Sequence, residues 1–223
     1  MPFLQDTPPA PERQHIFGAM VQLQQAVATG DVAAIREALD VPGVDIDGVP
    51  EGQHSCTRSA LQEAARMGHV GALAALIEGG ANVNGFAASA GLIQAIRWTR
   101  APVTSAITPL AIAASQGHAA AVGVLLAAGA EPQLEEGEGG SPLHFAVQSK
   151  SLACVDALLA GGTSATVTCG GARPDELPEA TGAVRAALWP HLARAWAWGG
   201  HEDAPLRLAR KDMVLLRSRV LEG

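Results

Sequence analysis

Residues 108–118 read TPLAIAASQGH, and a related stretch, SPLHFAVQSKS, begins 33 residues further on at residue 141. A third copy, SALQEAARMGH, occupies residues 59–69, and a weaker one, LQQAVATGDV, occupies residues 23–32. A constant motif that returns at a period of this length indicates one supersecondary unit repeated along the chain.

Each position of the motif has a mechanical role. Thr108 and Ser141 carry hydroxyls that can accept a backbone N–H bond at the start of a helix, and a proline follows each, where no donor is lost. Gly117 stands where a left-handed residue lets a helix end and the chain reverse. Leucines later in the unit, at Leu76, Leu125-Leu126 and Leu158-Leu159, supply the buried stripe of a second helix. Each unit is therefore predicted to be a helix, a tight turn and a second helix.

The pattern resembles the ankyrin repeat, whose 33-residue unit carries a Thr-Pro-Leu-His motif. The resemblance implies an all-α solenoid of about five helix-turn-helix repeats joined by short hairpin loops, with degenerate repeats capping both ends. Repeats are expected near residues 20–47, 59–84, 108–133, 141–165 and 173–198. In the last one, Arg173 and Pro174 take the Thr-Pro place and Gly182 takes that of the loop glycine. In the fourth, Lys150 replaces this glycine, so strain or a different shape is expected there.

Composition limits the classes of function. Of 223 residues, 48% are hydrophobic but only 4% aromatic, which suits closely packed short helices. The net charge of −7 argues against a protein that grips nucleic acid. No signal peptide and no membrane-spanning run is visible, and three cysteines without metal-ligand spacing indicate reduced thiols. These features predict a cytoplasmic protein without a metal or a cofactor.

Three segments depart from the repeat. Residues 1–17 form a Pro-rich arm ahead of the ankyrin-repeat domain, 18–198. An insert, 85–107, is expected to contain a short helix that either contacts a partner through Trp98, Arg97 and Arg100 or packs back on the solenoid. Residues 199–223 predict a basic amphipathic C-terminal helix with an apolar stripe. It could fold onto the acidic solenoid, pair with a partner helix or lie on an anionic surface. The stripe consists of Leu206, Ala209, Met213, Leu216 and Val220.

The hairpin loop at residues 134–140 is acidic and rich in glycine. Its carboxylates, Glu135, Glu136 and Glu138, would either steer a partner with a basic patch or simply form a solvated loop. The glycines lack the Lys-Ser/Thr ending of a phosphate-binding loop.

The resemblance to ankyrin repeats also implies a recognition surface, formed by the exposed ends of the first helices and by the hairpin tips. It implies a structural role for His69, His118 and His144, which would tie turns and hairpins together by hydrogen bonds. Carried onto this sequence, the surface includes Arg58, Arg66, Met67, Ser105, Ser115, Gln116, Glu136, Glu138, Gln148 and Ser149.

No catalytic motif emerges from the sequence. The predicted function is therefore a non-catalytic protein–protein interaction module, acting as an adaptor, scaffold or inhibitor, with no cofactor and a protein partner rather than nucleic acid. It would be monomeric or a subunit of a hetero-complex. Two alternatives remain open: a permanent structural subunit of a larger assembly, and a regulatory fragment of an enzyme system.

Overall fold

A computed structural model describes residues 10–48, 58–85, 108–133, 140–168 and 172–198. Within these ranges the chain forms nine α-helices and no β-strand. The insert from residue 86 to 107, residues 134–139 of the acidic loop and the tail from residue 199 lie outside them. The helices are α1 (Ala10–Thr29), α2 (Val32–Leu39), α3 (Ala60–Met67), α4 (Val70–Glu78), α5 (Pro109–Ser115), α6 (Ala119–Ala127), α7 (Pro142–Gln148), α8 (Leu152–Ala160) and α9 (Gly182–Trp198).

The helices form two layers. The first helices of successive repeats, α1, α3, α5 and α7, pack one against the next and make the inner layer. The second helices, α2, α4, α6, α8 and α9, do the same and make the outer layer. The main contacts between the described helices lie within one unit or between successive units, as in other stacked-repeat proteins. The prediction of an all-α solenoid is confirmed.

Small residues in the inner layer and leucines in the outer layer fill the core. Ala113, Ala114 and Ala146 are completely buried, because the inner helices approach one another closely. Leu125 and Leu158 are completely buried between the layers. The interior contains few aromatic side chains, so its stability depends on many methyl and methylene contacts rather than on a few large rings.

The inner helices start at the predicted caps. Thr108 Oγ1 accepts the backbone N–H of Ala111 at 3.2 Å. Ser59 and Gln62 bond reciprocally through side chain and backbone, which satisfies two N–H groups at the start of α3. Ser141 and His144 form the same kind of capping box at α7.

Polar side chains join successive repeats where each repeat ends. The Asp47 carboxylate accepts the backbone N–H of Asn82 at 3.0 Å, and the Asn84 side-chain carbonyl accepts that of Glu131 at 2.9 Å. In the next repeat, Gln133 instead donates its amide to the Gly162 carbonyl at 3.4 Å. These bonds fix the spacing of repeats on the hairpin side of the molecule.

The N-terminal boundary differs from the prediction. Helix α1 begins at Ala10, so residues 10–17, assigned from the sequence to an extended arm, are helical. Pro11 is no obstacle, because backbone N–H groups in the first turn of a helix have no intrahelical acceptor. With 20 residues the helix is more than twice as long as the first helices of the next three repeats, and Ile16 reaches the turn at Gly43.

The fifth repeat is degenerate, as predicted, but its register is not the predicted one. Its first helix is reduced to a 3-10 turn, Pro174–Glu176. The turn between the helices closes at Ala180, whose N–H bonds to the Leu177 carbonyl, and Thr181 then accepts the backbone N–H bonds that start α9. Gly182 is the first residue of that helix. Its assignment as the loop glycine is therefore wrong, since a shortened first helix brings the turn forward.

Lys150 confirms the strain expected from its sequence position. It adopts a left-handed conformation, with φ of 57°, and is the one non-glycine residue with positive φ among the described residues. The turn keeps the shape of its glycine counterparts, so this lysine carries the backbone strain.

Candidate interaction surface

Two residues before each turn project from the inner layer in equivalent positions. They are Arg66 and Met67 in the second repeat, Ser115 and Gln116 in the third, and Gln148 and Ser149 in the fourth. None of the six is buried, and Met67 leaves 38% of its surface exposed although it is a large apolar side chain. The structure therefore brings these sequence-predicted residues into one row across three repeats, here named the inner-end row.

The backbone beneath this row is held by the following repeat. Nε2 of His118 donates to the Arg66 carbonyl at 3.1 Å, and Nε2 of His69 donates to the equivalent Ala28 carbonyl at 3.4 Å. One repeat further on, Ser151 takes the histidine position, and its hydroxyl donates to the Gly117 carbonyl at 3.5 Å. Side chains in the inner-end row can therefore differ without disturbing the turns that carry them.

Arg66 is exposed but its charge is already engaged. Its Nε and one terminal nitrogen bond both carboxylate oxygens of Glu63, with a shortest distance of 2.6 Å. Hydrogen bonding from Arg66 holds the pKa of the Glu63 carboxyl below its ordinary value, despite the opposing effect of burial. Arg58 also approaches Glu63, at 3.9 Å, and remains about half exposed.

Sequence reasoning missed Glu63 as an organiser of this surface. Its spacing of three residues from Arg66 on a predicted helix was the signal that could have revealed the pair, since such residues share one helix face. Together Arg58, Glu63 and Arg66 leave a single net positive charge on the surface of the second repeat.

The remaining members of the row differ in whether their polar groups are used in hydrogen bonds within their own helix. The Ser115 hydroxyl donates to the Ile112 carbonyl at 2.8 Å, and the Ser149 hydroxyl donates to the Ala146 carbonyl at 2.9 Å. These hydroxyls are used within their own helices. Gln116 and Gln148 are exposed, so their amides offer donors and acceptors to solvent, although Gln116 Nε2 also donates to the Ser115 hydroxyl at 3.4 Å.

Seven predicted contact residues lie outside the described ranges and remain predictions. They are Arg97, Trp98, Arg100, Ser105, Glu135, Glu136 and Glu138.

The rest of the described surface offers little for chemistry. No group of three His, Cys, Asp or Glu residues that could hold a metal ion occurs in the described ranges. Cys154 is a free, buried thiol whose pKa is raised by burial. A shallow depression on the exposed end of the first repeat is lined by eight residues, of which five are polar: Gln22, Gln25, Thr29, Asp31 and Glu37. Such a polar end is what a terminal repeat of a solenoid needs.

None of the helices that the structure describes combines the length and apolar character that crossing a membrane requires.

The two-layer stack and its inner-end row define a helical repeat protein with a variable surface on a constant frame. Comparison with family models identifies the frame. An ankyrin-repeat model matches residues 57–85, and a model of three ankyrin-repeat copies matches residues 85–169, so that together they cover just over half of the chain. The protein belongs to the ankyrin-repeat family, whose members generally serve as protein–protein interaction modules. A search of curated proteins found no match.

Proposed function

We propose that this protein is a non-catalytic recognition module that binds a protein partner through its inner-end row, with the acidic loop and the 85–107 insert extending the contact. The observation that carries the proposal is the contrast between frame and row. Buried alanines and leucines are nearly uniform from repeat to repeat, whereas the equivalent positions of the row differ in chemistry. One position holds Met67, Gln116 and Ser149, and the position before it holds Arg66, Ser115 and Gln148. Different side chains on a common frame are how a repeat protein acquires specificity.

The chemistry of the row suggests the kind of contact. The described row has one apolar anchor in Met67 and two amides in Gln116 and Gln148. Arg58, which approaches Glu63 outside the row, adds one partly free cation. An adaptable thioether beside exposed amides suits a polypeptide surface with mixed apolar and hydrogen-bonding groups. The same set lacks the concentration of positive charge that binding a phosphate backbone requires.

The experiment compares two triple variants of the full chain in affinity purification with quantitative mass spectrometry. The first carries Met67→Ala, Gln116→Ala and Gln148→Ala. The matched control carries Gln22→Ala, Gln25→Ala and Glu37→Ala on the polar end of the first repeat. We expect the row variant to recover its specific partner at least tenfold less than the wild type, with an unchanged melting temperature. The control should recover the partner at the wild-type level. Equal recovery by both variants would refute the assignment of the surface.

A further inference from the structure

The outer layer contains an apolar helix with one side that no described residue covers. Helix α6, residues 119–127, reads AAAVGVLLA and has no polar side chain on any face. Nevertheless Ala120, Gly123 and Ala127 are exposed. A surface helix normally turns a polar face to water, and a helix that is apolar all round is normally buried.

The neighbouring helices extend this surface in register. The positions equivalent to Ala120 are Gly71 in α4 and Ala153 in α8, and both are exposed. The first residues of the same two helices, Val70 and Leu152, leave 37% and 39% of their surfaces exposed. The exposed surface of α4, α6 and α8, here named the outer face, is therefore largely apolar, and its charged side chains are Glu78 at the end of α4 and Asp156 in α8.

Gly123 adds an independent observation. A Cβ placed on it would meet nothing within 4 Å, so packing among the described residues does not require a glycine there. A glycine in the middle of a helix destabilises it by about 0.5–1 kcal/mol relative to alanine. Gly71 differs, because a Cβ there would lie 3.0 Å from a methyl group of Val32. An unneeded glycine at the centre of an apolar surface fits the close approach of another backbone.

The charge of the outer face identifies a complementary occupant. Both charged side chains of the outer face, Glu78 and Asp156, are acidic. Glu78 also contacts Arg36 of α2 at 3.3 Å. Residues 206–220 of the same chain combine an apolar stripe at helical spacing with five basic residues and one acid. The basic residues are Arg207, Arg210, Lys211, Arg217 and Arg219.

Residues 199–205, which connect α9 to the basic segment, are long enough to bring that segment to α6. Helix α9 ends at Trp198 and packs beside α8, which in turn packs beside α6. Neighbouring helices stand about 8–10 Å apart, so α6 is roughly 20 Å from α9. Residues 199–205 can span up to about 23–25 Å when extended. A second copy of the outer face is a poorer occupant, because both faces would be acidic.

From this geometry we propose that the outer face of α4, α6 and α8 is the docking site of the chain's own residues 206–220. The apolar stripe of the segment lies over Gly123, and its basic side chains meet Asp156. This contact is independent of the inner-end row, and it leaves the row free for a partner.

Limited trypsin digestion of the full chain tests the proposal, because every basic residue of the segment is a cleavage site. The diagnostic variant is Gly123→Gln, which has room on its own helix but would obstruct a docked segment. The matched control is Gly18→Gln in α1, where a Cβ also meets nothing within 4 Å. Cleavage after Arg207, Arg210 and Lys211 is followed by mass spectrometry, since its rate reports the population of the undocked segment.

We expect Gly123→Gln to accelerate cleavage at least fivefold and Gly18→Gln to leave it unchanged. Replacing Met213 and Leu216 by aspartate should accelerate it equally, and combining those changes with Gly123→Gln should add nothing. Equal cleavage rates in the wild type and Gly123→Gln would overturn the proposal. Protection that disappears on dilution would overturn it as well, because the occupant would then be a second copy of the chain.

Discussion

The ring of His118 lies directly against Gly68 of the preceding repeat. A Cβ on Gly68 would stand 2.8 Å from the ring, and Nε2 of the same ring bonds the carbonyl of Arg66 at 3.1 Å. The His118 ring therefore packs against the turn of the preceding repeat, and its hydrogen bond holds the backbone of the inner-end row in place. Two features of position 68 favour glycine over any other residue. The backbone is left-handed, with φ of 71°, and the His118 ring fills the space that a Cβ would need.

This relationship predicts unequal costs for two similar substitutions. Gly68→Ala and Gly117→Ala both place alanine in a left-handed conformation, which is unfavourable by about 1–2 kcal/mol. The alanine at 68 must also displace His118, whereas a Cβ at 117 would meet only Ser151, at 3.5 Å. We expect Gly68→Ala to lower the free energy of unfolding clearly more than Gly117→Ala in urea denaturation. Equal losses would show that the ring does not constrain the turn.

Lys150 provides the reverse case. Its φ of 57° places a lysine where the equivalent turns have glycine. Lys150→Gly should raise the free energy of unfolding by about 1 kcal/mol, because the left-handed strain disappears. Lys150→Ala keeps the strain and removes only an exposed side chain, so it should leave stability close to that of the wild type. A stabilisation by alanine as large as that by glycine would contradict this explanation.

Thr163 contains a buried hydroxyl without a hydrogen-bond partner among the described residues. The equivalent positions in the two preceding repeats are Ala81 and Ala130, which are also buried. Thr163→Val should raise the free energy of unfolding by about 1 kcal/mol, since it removes a desolvated polar group with little change in volume. Thr108→Val is the control. It removes a helix cap and should lower the free energy of unfolding by about 1 kcal/mol.

The His144 cap makes stability dependent on pH. Nδ1 of His144 accepts the Ser141 backbone N–H at 3.2 Å, and Nε2 donates to the Ala172 carbonyl at 3.2 Å, so this arrangement needs a neutral ring. Burial lowers the pKa of His144. The unfolded state therefore binds a proton before the folded state does. The free energy of unfolding should be constant above the ordinary histidine pKa, about 6.5, and should fall as the pH drops from there through the lowered folded value.

His144→Gln tests this cause. Glutamine already fills the equivalent place at Gln62, where it caps α3. The variant should keep the cap without titrating, so its stability should decline less between pH 6.5 and 5 than that of the wild type. Denaturation curves across this range provide the comparison, and parallel pH profiles for the two proteins would contradict the assignment to His144.

The sequence predicted the features that local chemistry determines and missed those that depend on packing between units. The caps at Thr108 and Ser141, the turn at Gly117 and the strain at Lys150 each follow from one residue type at a fixed place in the motif. The start of α1 at Ala10 could not be read off, because proline is compatible with both an extended arm and a first helical turn. The turn of the fifth repeat closes at Ala180 rather than at Gly182, because the first helix of that repeat is reduced to a single 3-10 turn.

The interaction surface was predicted less completely than the fold. The resemblance to ankyrin repeats predicted which residues form the row. It could not predict the hydrogen bonds that engage the side chains of Arg66, Ser115 and Ser149, because these depend on the positions of side-chain atoms. We therefore propose the exposed side chains of Arg58, Met67, Gln116 and Gln148 as the principal contact residues.

The central claim, recognition through the inner-end row, is tested most directly by site-specific photo-crosslinking in cells. A photoreactive phenylalanine analogue replaces Gln116 in one variant of the full chain and Glu37, on the polar end of the first repeat, in another. The proposed surface predicts a discrete crosslinked protein from position 116, competed away by unmodified chain, and none of that species from position 37. The same crosslinked protein from both positions, or from position 37 alone, would contradict it.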